Sequence, residues 1–467
     1  MNSRLHERFR GFRARIGVSR WDITPGLDVS AKNWGAAKHW FAQGVHHRLT
    51  GTALAVAPGD GNGPPLLLLS LDLGWWRRRH DAAALCTQVR EQLALPEASV
   101  IVHITHTHAG PVLDSEAPAE ANPDACRDYL ARLTASCVSG GREALDKLEP
   151  ATALFQRGHC ALAAQRDLID PANPERFLTG FNPAVAADDT LLTARLFADD
   201  GRTLATLVNY ACHPTTLAWE NTRISPDYPG AMRELIESQT GGVPCLFLQG
   251  ASGELAPAEQ YSGDPQLADR HGRELGHAAL CALTPLAAGC SHLQYDGPVE
   301  SGAPLALWHA CNQTANPSLR AVSMALDFDL KSDLPTLAQI DAALAKKPDG
   351  FRYERLLRQR GVRASVGDGN TSRETIWLWR LGDAALCATP FEAYSSFQIQ
   401  MRTAFPDTPL LVLNVSNSSV GYLPPAPLYD FNLYTVWQTP FARGGHEHLL
   451  GAAVAGLREL FQSQPPP

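Results

Sequence analysis

The eight residues from Leu66 to Leu73 read L-L-L-L-S-L-D-L, apolar at successive positions and not at every second one. Side chains alternate across a strand, so such a run is stable only where both faces are covered. The chain therefore needs at least one central strand with layers on both sides. Ala98 to Val102, Val243 to Gln249, Ala384 to Thr389 and Leu410 to Val415 read the same way, as buried strands that stop at or near Gly, Pro or Asn.

Around them the pattern alternates between strands and helices. Arg15 to Thr24 is a short strand, and Leu54 to Val56 forms a hairpin with Leu66 to Leu73 around the loop Pro58 to Gly63. Helices are expected from His80 to Leu93, Asp124 to Leu145, Ala231 to Glu237 and over 267–284. Ala151 to Gln156 and Leu162 to Asp167 read as extended, followed by a Pro-rich and Asn-rich loop to Asp189. Leu192 to Phe197 and Leu204 to Asn209 flank the turn Asp199-Asp200-Gly201. In the last third, Leu305 to Asp329 is strand material and Thr375 to Arg380 an alternating strand. Helices are expected over Leu337 to Leu344, Tyr353 to Leu357, from Glu392 to Phe405, and from Gly444 to Phe461. The fold class is α/β, with mixed sheets and flanking helices, built as a two-layer or three-layer body or two closely packed lobes.

With 467 residues, 45% hydrophobic and 19% charged, the chain can bury a large core. It has no apolar run near the eighteen or more residues of a membrane span, so no stable membrane anchor is expected. A net charge of −8 and a pI near 6.1 give no electrostatic footprint for nucleic acid. Arg77-Arg78-Arg79 reads as a solvated helix start. Met1 to Arg10 is basic without the apolar core of a secretory signal, so a cytoplasmic location is expected. Ten irregularly spaced cysteines, none in C-x-x-C, read as mostly reduced and buried.

Chemistry concentrates where the buried runs stop. After Val102 comes H-I-T-H-T-H-A-G-P, with His106 and His108 two residues apart; on a continuing strand both would face one cleft. His213 follows N-Y-A-C, Glu392 follows an apolar run at P-F-E, and Tyr422 lies in the loop after Val415. Ligands of open α/β sheets lie at the C-terminal strand edge, so these groups could converge. Imidazoles, a carboxylate and a phenolate would suit Zn²⁺ with one open position. The plainer reading makes the histidines half-exposed, Glu392 a helix N-terminal carboxylate and Tyr422 a packed aromatic. Asp72 and Glu254 are spare carboxylates that either orient a histidine or cap a turn. Asp188-Asp189 and Asp227 could bind a second metal, but read first as acidic turns. His46-His47 and His446-Glu447-His448 have ligand-like spacing, the latter at a helix start where His446 could reach the pocket mouth. Trp75, Trp76, Trp219, Trp377 and Trp379 could shape an apolar acyl pocket.

The succession T-H-T-H-A-G-P, Arg166 in Q-R-D, N-Y-A-C-H-P-T, G-A-S-G-E-L-A-P, P-F-E at 390–392 and V-G-Y-L-P at 420–424 resembles the neutral/alkaline ceramidase family, in order, over roughly residues 14–450. The resemblance implies a zinc-dependent amidase with His106, His213, Glu392 and Tyr422 as ligands. It further implies that His108 and Arg166 contact the substrate amide or its oxyanion, and that Tyr434 supplies a hydroxyl nearby. Two motifs depart: Ala256 stands at the family's loop serine and Phe391 at the glycine before its glutamate. Neither the family's secretory signal nor its C-terminal immunoglobulin-like domain is expected here. The organisation expected is an N-terminal extension (1–13), one ceramidase-like catalytic domain (14–462) and a Pro-rich tail (463–467). The function expected is hydrolysis of an N-acyl amide in a soluble small molecule. Biosynthetic acyl transfer, amide formation or cyclisation, an esterase or lactonase, and a catalytically silent binding homologue remain open, as does oligomeric state.

Overall fold

The computed structural model of the chain describes residues 9–287, 291–348 and 350–462. Most of the expected N-terminal extension, Cys290 and the Pro-rich tail lie outside them. Leu66–Leu71 is a strand buried at every position. It pairs antiparallel with Thr50–Ala57 and parallel with Val100–Ile104. These belong to an eight-stranded sheet in the order Cys245–Gln249, Thr203–Tyr210, Thr190–Ala198, Glu149–His159, Phe12–Asp22, Thr50–Ala57, Leu66–Leu71, Val100–Ile104. A second sheet follows the order Leu319–Asp329, Thr371–Leu381, Ala384–Ala388, Leu410–Leu413.

The sheets pack face to face. Phe12, Leu54 and Leu207 of the first share one core with Trp377, Trp379 and Leu411 of the second. Outside the first sheet lie helices Arg79–Leu93 and Pro123–Asp146 at one end, and Tyr228–Gln239 and Pro265–Leu283 at the other. Ser395–Ala404 and Gly445–Gln462 cover the second. The body thus has four layers, helix–sheet–sheet–helix, where two or three were expected. The strand T-I-W-L-W-R shows why: Trp377 and Trp379 face the other sheet while Ile376 and Leu378 face the helices. Full burial of the latter two contributes roughly 1.5–3 kcal/mol each.

Two segments differ from expectation. The loop after Arg166 contains a hairpin, Asp167–Asp170 with Asn173–Thr179; most of its second arm is exposed, so no apolar alternation marks it. The helix expected over Tyr353 to Leu357 runs from Gly350 to Val366. The three arginines do lie at the helix start, but each is engaged by a neighbour. Arg77 lies over the Trp75 ring at 4.3 Å, Arg78 pairs with Asp114 at 2.8 Å, and Arg79 grips buried Glu374 at 2.9 and 3.0 Å. No disulfide occurs among the described cysteines, most of which are buried.

The ends of the eight-stranded order meet. Ser70 Oγ donates to Phe247 O (2.7 Å), and the backbone N–H of Gln249 donates to His103 Nε2 (2.9 Å). Segment 414–417, which leaves the second sheet, docks on both outer strands. Asn414 N–H donates to Gln249 O (3.1 Å) and Asn417 N–H to Val102 O (2.8 Å). The Asn417 side chain accepts from Val102 N–H (2.6 Å) and donates to Val100 O (3.1 Å). Its φ of +58° is one that asparagine tolerates well. Asn417→Ala leaves the Val102 N–H and Val100 C=O without side-chain partners, so a loss of about 1–3 kcal/mol is expected, read as a lower urea midpoint at unchanged slope.

Candidate metal centre

Three parallel strand pairs deliver the site: Leu66–Leu71 with Val100–Ile104, Thr203–Tyr210 with Cys245–Gln249, and Ala384–Ala388 with Leu410–Leu413. Just beyond the third pair, Glu392 and Tyr422 stand in register in a two-residue parallel ladder.

The strand bearing the first histidines stops at Ile104, so their common cleft does not come from strand alternation. His106 takes a left-handed conformation, φ +71°, and its N–H donates to Leu73 O at 2.8 Å. This reversal turns both imidazoles inward, with ring centroids 5.0 Å apart at 89°. A carbonyl can only accept, so His106 Nδ1–H donates to Gly74 O (2.8 Å) and Nε2 is left as the lone-pair nitrogen. His213 repeats the device, with Nδ1–H donating to Ser252 O at 2.7 Å.

Both Nε2 atoms converge on one carboxylate oxygen. Glu392 Oε2 lies 3.4 Å from His106 Nε2 and 3.1 Å from His213 Nε2. Lone pairs facing a carboxylate repel unless a cation or proton lies between them. Donors on a tetrahedron with 2.0 Å bonds are separated by about 3.3 Å, close to both distances. His106 Nε2 and both nitrogens of His108 are buried without a hydrogen-bond partner. Ligand atoms of His106, His108 and His213 lie within 4.8 Å of one another. The donor set therefore fits a divalent cation.

Electrostatics keep the donors in binding form. Burial, reinforced by Arg166, lowers His213 to about 4. Burial and the neighbouring His106 and His213 take His108 well below its usual value. Burial raises Glu392, but positive charge on the His106 and His213 side outweighs it and holds the carboxyl well below its ordinary range.

Arg166 follows strand Ala163–Gln165 and is buried. Its Nη2 donates to Gly253 O (2.7 Å) and Tyr422 Oη (3.0 Å), while Nε has no partner. Tyr434 begins a short helix with its ring 5.7 Å from Tyr422, and its hydroxyl accepts from Arg358 Nη1 at 2.7 Å. Arg358 and Trp34 escaped the sequence reading. Trp34 and Trp75 flank the His108 ring at 5.1 and 4.8 Å, and Trp219 and Tyr261 extend this aromatic wall. Arg358 sits on the helix Gly350–Val366, just beyond the Tyr353 to Leu357 stretch that the sequence marks as helical.

Other candidates take structural roles. Asp72 is bound by Arg233 and accepts from Thr50 N–H at 2.8 Å. Glu254 caps Ser395 N–H at 2.9 and 3.0 Å. Asp188 accepts from Gln398 Nε2 at 2.6 Å, and Asp227 from Tyr228 N–H at 2.7 Å. His446 is buried against Ser396 and Leu423, not at a pocket mouth. Trp377 and Trp379 belong to the intersheet core. Ala256 is fully buried in a strand paired with Ala163–Gln165, and Ser252 Oγ is taken by Gln249 Nε2. Phe391 fills the space beside Phe328 and Phe441, ring centroids 4.9 and 5.2 Å away.

The family profile described as neutral/alkaline non-lysosomal ceramidase, N-terminal, matches residues 14–252. Among solved structures, neutral ceramidase from Pseudomonas aeruginosa is similar with TM-score 0.66 at 16% identity, covering 98% of this chain and 76% of that one. A structure described as ceramidase complexed with C2 has TM-score 0.64 at 15% identity, with 98% and 77% coverage. No curated protein matches the chain in sequence.

Glu254 gives the centre a pH-dependent support. Burial pushes its carboxyl up to about 7, against the bonds from Ser395. Between its ordinary value and 7 the folded chain keeps a proton that the unfolded chain has released. Its stabilisation is therefore full below about pH 4.5 and lost as pH rises through about 7. Urea unfolding at pH 5 and pH 8 is expected to show a smaller fall in stability for Glu254→Gln than for the unaltered protein.

Proposed function

Because the chain belongs to the neutral/alkaline non-lysosomal ceramidase family, we propose that it is a zinc-dependent amidohydrolase cleaving an N-acyl bond in a soluble small molecule. The observation that carries this reading is the convergence of His106 Nε2 and His213 Nε2 on Glu392 Oε2. These three would hold Zn²⁺, with Tyr422 or His108 completing the set. Zinc in such a site supplies Lewis acidity and a nucleophile from water at neutral pH, which makes the missing serine at Ala256 tolerable.

The chain's own groups supply the rest. His108 is neutral with both ring nitrogens unpartnered, so it can accept the proton of the attacking water and pass it to the leaving nitrogen. Tyr434 Oη accepts from Arg358, which leaves its own proton free to donate to an oxyanion. The partnerless Nε of buried Arg166 is a second donor. A single well-placed donor contributes about 10²–10³ in rate. Trp34, Trp75, Trp219 and Tyr261 offer an apolar wall that suits an acyl chain. No helix among the described residues is long and apolar enough to cross a membrane.

The test is turnover of a panel of N-acyl amino acids and N-acyl amines beside matched esters and lactones, by zinc-loaded protein. Amide cleavage is expected, lost in Glu392→Ala and after chelation. Absence of turnover with every acyl substrate would overturn the reading, and preference for oxygen leaving groups would make the protein an esterase or lactonase. His108→Ala is expected to lower kcat about 10²–10⁴-fold at unchanged metal content; loss of the metal instead would make His108 a ligand.

A further inference from the structure

A second imidazole cluster lies outside this centre. His46 and His47 follow the two-residue strand Gly44–Val45, which pairs in parallel with Arg223–Ile224. Across from them stands Asp269, on helix Pro265–Leu283. His46 Nε2 is 3.2 Å and His47 Nε2 2.9 Å from the same atom, Asp269 Oδ1. The rings are 4.1 Å apart, and the three ligand atoms lie within 4.8 Å of one another. The arrangement repeats that at Glu392, with two Nε2 atoms on one carboxylate oxygen near the separation of tetrahedral donors.

The outer nitrogens are also held. His47 Nδ1 faces Glu234 Oε1 at 3.0 Å, and His46 Nδ1 faces Ser225 Oγ at 3.0 Å. A carboxylate behind a ligating imidazole fixes its tautomer and raises its basicity. With Nδ1–H given to Glu234, neutral His47 points a lone pair at Asp269 Oδ1, which calls for a positive charge between them. Two imidazoles at 4.1 Å cannot both become imidazolium cheaply, and burial followed by His47 lowers His46. Side-chain exposures of 10%, 18% and 24% for His46, His47 and Asp269 leave the cluster reachable from solution.

We propose that His46, His47 and Asp269 form a second site for a borderline divalent cation of the Zn²⁺ class. Its role is to brace the centre. Ser225, which touches His46, donates its N–H to Ala109 O (2.9 Å), and its carbonyl accepts from Thr107 Oγ1 (2.7 Å). A cation here ties helix Pro265–Leu283 to the segment that holds the turn bearing His106 and His108.

Metal content by plasma mass spectrometry, on full-length protein loaded with Zn²⁺ and desalted, tests this directly. Two equivalents are expected for the unaltered chain and one for each of His47→Gln and Asp269→Asn, both polar replacements of similar size. His213→Ala, which disrupts the first centre, is expected to keep one equivalent that disappears when combined with Asp269→Asn. Circular dichroism of each variant checks the fold. Zinc content insensitive to both His47→Gln and Asp269→Asn in folded protein would overturn the proposal. So would a single equivalent lost entirely with His213→Ala, which leaves His47 as an imidazolium between Glu234 and Asp269. An equivalent that responds to Asp269→Asn stands even if no amide is ever cleaved.

Discussion

Two backbone carbonyls, those of Gly74 and Ser252, decide which nitrogen of each ligand-type histidine faces the centre. Each takes an Nδ1–H and so leaves Nε2 bare toward Glu392. Such a bond costs little to form where chain reversal already exposes a carbonyl, but it fixes tautomer and ring orientation together. The close packing around these loops serves the same end. A Cβ on Gly74 would stand 2.8 Å from Thr107 O, and one on Gly253 would stand 2.8 Å from Glu392 O. Both glycines are there because backbone must approach backbone.

The strand arrangement explains why residues so far apart in sequence meet. Most of the eight-stranded sheet is antiparallel, yet the segments carrying His106, His213, Glu392 and Tyr422 each leave a strand belonging to a parallel pair. Parallel neighbours end on the same side, so their loops emerge together, whereas antiparallel neighbours alternate. The general tendency of ligands to gather at carboxyl ends of parallel strands thus operates pair by pair inside a mixed sheet. Segment 414–417 then fastens the outermost strands to each other, so the first and third pairs share one frame.

Much of this was visible in the sequence, and the reasons are local. Leu66–Leu71 and Val100–Ile104 announce themselves because burial on both faces demands unbroken apolar runs. His106, His213, Glu392 and Tyr422 could be picked out because each follows such a run. The left-handed turn at His106 could not be read, since histidine, though enriched at positive φ, adopts it too rarely for its presence to mark a reversal. Arg77, Arg78 and Arg79 look solvated in one dimension, while their partners Trp75, Asp114 and Glu374 become neighbours only through folding. Arg358 was missed because a helix that turns a charged residue inward breaks the rule by which helices are read. The fourth layer was missed because period-two alternation marks one buried face only when the other side is polar; Ile376 and Leu378 are not.

Trp34 and Trp75 hold the His108 ring between them at 5.1 and 4.8 Å, and Trp75 also lies 6.0 Å from His106. Indole emission is quenched by a protonated imidazole and by paramagnetic cations at such range. The candidate centre therefore has an optical reporter built beside it, and a paramagnetic cation such as copper or cobalt taken up there would register as a change in indole fluorescence without any attached dye.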